Sequence, residues 1–146
     1  MNATTRPKLY SPRLLALSAS LADYPLGRDL TFTAEERSRT CGSVISLGME
    51  LDAEARVSEI GLQVSACAVG QASAAVLAGG IVGKGVTDIS NATDAIVAWL
   101  ANEGSAPDWP GFDALDAAKA HKGRHGALLL AWAAAKAALS STGRRR

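Results

Sequence analysis

Apolar and polar residues alternate over the middle of the chain, and this alternation predicts a small sheet. One run has apolar residues at Val44, Leu47, Met49 and Leu51, and a second has them at Val57, Ile60, Leu62 and Val64. A polar link over 52–56 separates the two runs, as expected for a β-hairpin. The residues up to Thr40 are predicted to add a third strand at the sheet edge, although the pattern over 26–37 is ambiguous.

Apolar residues at helical spacing lie on both sides of this predicted sheet in the sequence. Ser11 and Pro12 open the first helix, and small apolar residues after the sheet predict a buried helix that ends at Gly79 and Gly80. The predicted helices cover 10–22, 68–80, 93–100 with a start as early as 87, a short separate 112–120, and 123–139. The order of strands and helices predicts an α+β fold.

Length and composition are consistent with one domain. The chain has 146 residues, of which 48% are hydrophobic and 5% aromatic. This length supports one hydrophobic core but is short for two, and the small apolar side chains predict close contacts between helices. We therefore predict a single domain over 10–139 with flexible tails at 1–9 and 140–146, the second of which ends in three arginines.

Charge and hydropathy argue against nucleic-acid and membrane partners. Fifteen basic and fourteen acidic residues give a formal net charge of +1, which provides no global field to attract a polyanion. The uncharged stretch 60–83 is long enough for a membrane span, but its glutamines, serines and glycines are more typical of a strand and a buried helix. No secretory signal is visible near the N-terminus, so a cytoplasmic location is expected.

Two cysteines and one histidine lie at predicted element boundaries. Cys67 falls between the second strand and the buried helix, where the free N–H groups of the first helical turn would stabilise a thiolate. Cys41 precedes Gly42 and a strand, and His125 opens the last helix. Without a sign of secretion, two cysteines are more consistent with reactive or metal-binding thiols than with a structural disulfide. Two thiolates and an imidazole suit Zn²⁺ or iron–sulfur chemistry.

Each of these residues also has an ordinary structural interpretation. A cysteine in an apolar stretch is more often a small core residue, and a single histidine is more often simply hydrogen-bonded. His121 precedes His125 by four residues, but Gly123 between them argues against one continuous helix. We expect His121 to be solvated, with an accessory ligand role as the alternative. The three tryptophans show no stacking pattern suited to nucleic acid and are predicted to anchor the core or a loop.

Several short runs of the sequence resemble one protein family. They are Tyr10-Ser11-Pro12-Arg13, Thr40-Cys41-Gly42-Ser43, the block Ala66-Cys67-Ala68-Val69-Gly70-Gln71-Ala72-Ser73-Ala74, and Arg124-His125-Gly126 ahead of Leu128 to Trp132. Together they resemble the iron–sulfur cluster assembly scaffold family of IscU, SufU and the NifU N-terminal domain. The similarity covers roughly residues 10 to 139, and the block that begins at Ala66 is its most specific part.

The resemblance implies a fold, a ligand set and partners. The implied fold is a small three-stranded antiparallel sheet with helices packed on one side. The implied ligands are Cys41, Cys67 and His125, which would bind Zn²⁺, iron or a transient Fe–S cluster of the [2Fe–2S] type. The implied partners are a cysteine desulfurase and apo iron–sulfur acceptor proteins, and a homodimer is an oligomeric state that the sequence leaves open.

Two positions depart from the family pattern and make the chain a divergent member. Ser43 stands where the family usually has an aspartate, and Gly126 or Ala127 stands where it usually has a third cysteine. A metal site ordinarily has four donors, and for this reason Ser43 and His121 are considered as accessory ligands.

The function implied by the resemblance is a non-enzymatic scaffold for iron–sulfur cluster assembly. Two alternatives stay open from the sequence alone. The missing aspartate and cysteine favour a regulatory or interaction module that binds a cysteine desulfurase without assembling clusters. The presence of two cysteines also allows a thiol redox switch based on a reversible bond between Cys41 and Cys67.

Overall fold

The computed structural model describes residues 9–27, 29–39 and 42–140. Its helices are α1 (Pro12–Ser20), α2 (Ala68–Ile81), α3 (Val86–Leu100) and α4 (His125–Ser140), and its strands are β1 (Phe32–Arg37), β2 (Val44–Leu51) and β3 (Val57–Ser65). Within these ranges 3₁₀ segments cover Leu21–Asp23, Phe112–Ala120 and Lys122–Arg124. Most of the predicted tails, at 1–8 and 141–146, and the candidate ligand Cys41 lie outside the described residues.

The described strands form one antiparallel sheet in the order β1, β2, β3. The β2–β3 hairpin closes where predicted, because the Asp52 amide donates to the Arg56 carbonyl oxygen at 2.8 Å. Ala34 of β1 lies opposite Leu47 of β2, which makes β1 the predicted third, edge strand. It lies inside the segment whose pattern was ambiguous, because only two of its six residues are apolar.

One face of the sheet forms a wall of the hydrophobic core. Ile45, Leu47 and Met49 are fully or almost fully buried, and their spacing of two puts them on the same face of β2. Helix α4 packs against β1 and β2, and α2 and α3 pack against α4. The α+β fold, with helices on one side of a three-stranded antiparallel sheet, is therefore confirmed.

Helix α2 is buried almost all round. Ten of its fourteen residues are buried, so the uncharged stretch 60–83 consists of most of β3 followed by a buried helix, as predicted. None of the helices in the described ranges combines the length and apolar content that a membrane crossing requires.

The three tryptophans anchor the core, as predicted. Trp132 is completely buried, and Trp99 and Trp109 are 7% and 6% exposed. Trp109 meets Trp132 edge to face with ring centroids 4.8 Å apart, and Trp99 meets Phe112 in the same way at 5.3 Å. These large rings fill space between helices whose facing residues are mostly small.

The first and last helices are shorter than the apolar pattern predicts. Ser11 is the N-cap of α1, and its hydroxyl oxygen accepts the Leu14 amide at 3.1 Å. The chain tightens into a 3₁₀ turn from Leu21, so the apolar spacing continues beyond the end of the α-helix. Gly123 belongs to a 3₁₀ turn, and α4 begins only at His125.

The chain crosses part of the other face of the sheet at Pro25, Leu26 and Leu30, where two glycines make room for it. A Cβ atom on Gly61 would lie 2.6 Å from the carbonyl oxygen of Pro25, and one on Gly48 would lie 2.9 Å from Cβ of Leu30. Both distances are shorter than ordinary van der Waals contact, so the crossing requires residues without a side chain at these two strand positions.

Replacement of Gly61 by alanine is expected to destabilise the fold by roughly 1–3 kcal/mol, because the new methyl group would overlap a backbone carbonyl. G79A is the matched control, since a Cβ there has Tyr24 Oη as its nearest neighbour at 3.8 Å. Alanine is favoured over glycine within a helix by about 0.5–1 kcal/mol, so G79A should be neutral or stabilising. Urea unfolding followed by circular dichroism measures both variants, and equal stability of the two would contradict the crossing.

Candidate functional site

Cys67 lies at the start of α2. It is the N-cap residue, with extended backbone angles (φ −67°, ψ 171°), and its carbonyl oxygen accepts the Gln71 amide at 2.9 Å. Its side chain is partly buried and makes no capping hydrogen bond. The predicted position between strand and helix is confirmed, and the positive end of the helix dipole favours negative charge on this sulfur.

His125 is the first residue of α4, and one of its ring nitrogens is already hydrogen-bonded. Nε2 lies 2.8 Å from the carbonyl oxygen of Lys119. Because a carbonyl oxygen only accepts, Nε2 carries the proton of this bond. In the neutral ring Nδ1 then holds the free lone pair, an arrangement typical of histidines that bind metal ions.

The starts of α2 and α4 are held side by side. A Cβ atom on Gly70 would lie 3.4 Å from both Cβ and the carbonyl oxygen of Ala127, so the two backbones approach closely there. Further along both helices, the Ser73 hydroxyl donates to the carbonyl oxygen of Leu128 at 2.6 Å. Since these contacts advance in the same direction along both helices, the two N-termini lie at the same end, each with a candidate ligand.

The sheet brings a third piece of chain to this end. Val44 at the start of β2 lies opposite Ser65 at the end of β3, so Gly42 and Ser43 lie at the sheet end from which the chain continues into α2. Gly42 has a φ of +73°, which the absence of a side chain permits. Cys41 is the preceding residue in the sequence and lies outside the described residues, so its predicted ligand role stays a prediction.

The two accessory candidates are buried to different degrees. Ser43 is 4% exposed, and its carbonyl oxygen accepts the Ser38 amide at 2.9 Å. Nε2 of His121 is buried and has no hydrogen-bond partner among the described residues, so the expectation of a solvated ring is wrong for this nitrogen. The ring is brought inward because His121 follows one 3₁₀ segment and precedes another, a turn geometry with no clear sequence signal.

No preformed metal site is visible in the part of the chain that the structure describes. Among residues 9–27, 29–39 and 42–140, no three or more His, Cys, Asp or Glu side chains form a group that could hold a metal ion. Cys41 lies outside these ranges. The geometry therefore brings Cys67 and His125 to one end of a helix pair.

Helix α1 is tied to the segment that leads into α4. Arg13 donates two hydrogen bonds to the Asp113 carboxylate, both at 2.9 Å, and Arg124 donates to the Tyr10 hydroxyl at 3.2 Å. The hydrogen bonds from Arg13 hold the pKa of Asp113 below its ordinary value. These contacts join residues 100 or more positions apart, and sequence reasoning missed them because no local pattern pairs residues so far apart.

The Asp113 carboxylate is expected to titrate below the usual range for aspartate in an NMR pH titration. Because its folded pKa is depressed, the pair stabilises the fold above the ordinary aspartate pKa, and this contribution is lost as the pH falls through the lower folded value. R13Q should return the titration midpoint towards the ordinary value, and R13K should lie between the two. An unchanged midpoint in R13Q would contradict the pairing.

Comparison with solved structures places this geometry in a known fold. The crystal structure of a nitrogen-fixing NifU-like protein (N-terminal) from Brucella abortus superposes with a TM-score of 0.84, at 24% identity over 92% of this chain and 94% of that one. The chain has the fold of a NifU-like N-terminal domain. A candidate iron–sulfur cluster assembly scaffold protein for the SUF system from Fervidobacterium islandicum AW-1 has the same NifU-like fold, with a TM-score of 0.80 and 20% identity over 90% and 96% of the two chains.

The sequence comparisons give no further assignment. No protein-family model matches the chain, and no curated protein matches it. At these levels of identity the structural neighbours establish the fold, and the resemblance predicted from the short sequence runs is confirmed at that level.

Proposed function

We propose that the chain is a non-enzymatic scaffold-like protein of iron–sulfur cluster assembly. It would bind Zn²⁺, iron or a transient [2Fe–2S] cluster through Cys41, Cys67 and His125. Its partners would be a cysteine desulfurase, which supplies sulfur, and apo-proteins that receive the cluster. The names of both structural neighbours support the general role, since one is called NifU-like and the other a candidate assembly scaffold.

The observation that carries the proposal is the juxtaposition of two helix N-termini, each with a candidate ligand. The close contact between Gly70 and Ala127 holds these ends together. Helix N-termini stabilise negative charge, so two of them favour an anionic thiolate and the inorganic sulfide of a cluster. The Lys119 carbonyl oxygen fixes the ring of His125 so that Nδ1 is available.

The donor types suit the proposed cargo. Thiolate and imidazole are the ligands that Zn²⁺ and iron–sulfur clusters use, with bonds of about 2.3 Å to sulfur and about 2.0–2.1 Å to nitrogen for zinc. Few protein donors make a site that is open to exchange, which suits a cluster that is built and then passed on.

Loss of either described ligand is expected to weaken metal binding. C67S removes the thiolate and H125A the imidazole, and each should lower the affinity for Zn²⁺ or Co²⁺ by at least about 10-fold in a chelator competition. H121Q tests the accessory role of the other histidine. Binding within about twofold of the wild type would exclude His121 as a ligand, whereas a loss as large as that in H125A would assign it to the site.

The wild type supplies the decisive outcome for this proposal. Anaerobic reconstitution with iron and sulfide, followed by absorbance spectra and elemental analysis, should yield a chromophore and bound metal. A wild-type protein that takes up neither metal nor cluster would end the claim of direct ligation. Circular dichroism of each variant ensures that lost binding does not reflect unfolding.

Replacement of Gly126, next to His125, by cysteine is expected to strengthen metal binding at the site. Gly126 is exposed, whereas Ala127 is 2% exposed and packs against Gly70. G126C should therefore add a thiolate ligand and raise cluster retention after reconstitution. A127C is the matched control, because its sulfur would enter the contact between the helices and should bring no gain. Equal retention by the two variants would contradict this geometry.

The two positions that depart from the family pattern, Ser43 and Gly126, favour a second function. Ser43 is nearly buried, and Gly126 offers no side chain, so the two positions add no strong donor to the site. An interaction module that binds a cysteine desulfurase without assembling clusters is consistent with this. Recovery of the desulfurase by a C41A/C67A variant as efficiently as by the wild type would favour the module, whereas metal-dependent recovery would favour the scaffold.

A thiol redox switch is the third alternative. It requires a disulfide between Cys41 and Cys67, and only Cys67 lies within the described residues. Mass spectrometry of the unreduced protein distinguishes it from the scaffold, because a disulfide lowers the mass by two hydrogen atoms.

A further inference from the structure

The hydroxyl group of Ser73 joins α2 to α4 at two points. Ser73 is fully buried on α2. Its Oγ donates to the carbonyl oxygen of Leu128 at 2.6 Å and accepts the indole N–H of Trp132 at 2.9 Å. Both partners belong to α4, and the proton and a lone pair of the hydroxyl are both used. A single side chain thus restrains how far α2 is advanced along α4.

The partner on α4 cannot easily follow a shift of Ser73. The ring of Trp132 is fully buried and meets Trp109 and Phe112 edge to face at 4.8 and 6.1 Å. Trp109 in turn donates its indole N–H to the carbonyl oxygen of Val76 at 2.8 Å, which returns to α2. The indole is therefore held on several sides, and the hydrogen bond restrains the helix that carries the serine.

This restraint lies close to both candidate ligands. Ser73 is six residues after Cys67, or about 9 Å along the helix, and Leu128 is three residues after His125, or about 4.5 Å. A slip of one residue would move the start of α2 by about 1.5 Å and turn it by about 100°. Metal–ligand distances tolerate only about 0.2 Å, so such a slip would separate the two donors.

We infer that Ser73 is a positioning residue for the candidate site. Its hydroxyl fixes the register of α2 against α4 and thereby the separation of the Cys67 sulfur and the His125 imidazole. Ser73 itself touches neither metal nor cluster. The expected effect of Ser73 on metal binding rests on the proposed function, whereas its effect on the register of the two helices rests on the geometry alone.

The test compares S73A with two variants that lose other hydroxyl groups. T93A removes a buried hydroxyl that bonds the Ile89 carbonyl within α3 at 2.8 Å. S18A removes the bond from α1 to the Ala68 carbonyl at 3.0 Å, near Cys67. Zn²⁺ affinity and the thiolate-to-Co²⁺ absorption band are measured on the full, folded chain.

S73A is expected to lose at least about 10-fold in affinity and to weaken the Co²⁺ band, because the two donors no longer keep their separation. T93A and S18A should stay within about twofold, and S73T, which keeps the hydroxyl, should restore binding. Wild-type affinity and spectrum in a folded S73A would overturn the inference. An equal loss in T93A would also overturn it, because the effect would then reflect general stability.

Two further experiments cover the cases in which S73A does not fold or the wild type binds no metal. If S73A does not fold, S73A/W132F removes the indole N–H that would otherwise be buried without a partner, and its expected loss is the same. If the wild type binds no metal, the proposed function fails, but NMR still tests the register. Amide shifts at Cys67 and His125 should then move together in S73A and not in T93A, and unchanged shifts in S73A would overturn the inference.

Discussion

The close approach of α2 and α4 at Gly70 and Ala127 is the contact on which the candidate site depends. Helices approach this closely only where one of them lacks a side chain and the other has a small one. Gly70 and Ala127 meet that condition within one turn of each helix start. The contact therefore determines both how the core packs and where the N-termini point, so a bulkier residue at either position would change the two together.

Much of the fold could be predicted from the sequence, because the signals are local. Alternation located β2 and β3, small apolar residues located α2, and Cys67 was correctly placed at the junction of strand and helix. β1 was harder, since its FTAEER sequence has few apolar residues and owes its strand conformation to pairing with β2. Pairing of this kind overrides local preference and leaves little trace in the segment itself.

The candidate site was only partly predictable, for a different physical reason. The position of Cys67 follows from the end of the strand alternation and the start of the small apolar residues, and that of His125 follows from Gly123 two residues before it. Their arrival at a common end depends on contacts between residues far apart in sequence, and the buried nitrogen of His121 depends on two 3₁₀ turns. No alternation or spacing in one segment encodes these relations. The resemblance of the short runs to a known family pointed to the common end of Cys67 and His125, whereas nothing in the sequence pointed to the buried nitrogen of His121.

The exposed glycine that follows His125 leaves one flank of the helix start without a side chain. A glycine at this position adds no side chain that would stand between His125 and an approaching molecule. If the proposed cluster is held here, a recipient protein would meet no side chain at position 126. Handover could then proceed by exchange of one donor for another, with no need for the fold to open.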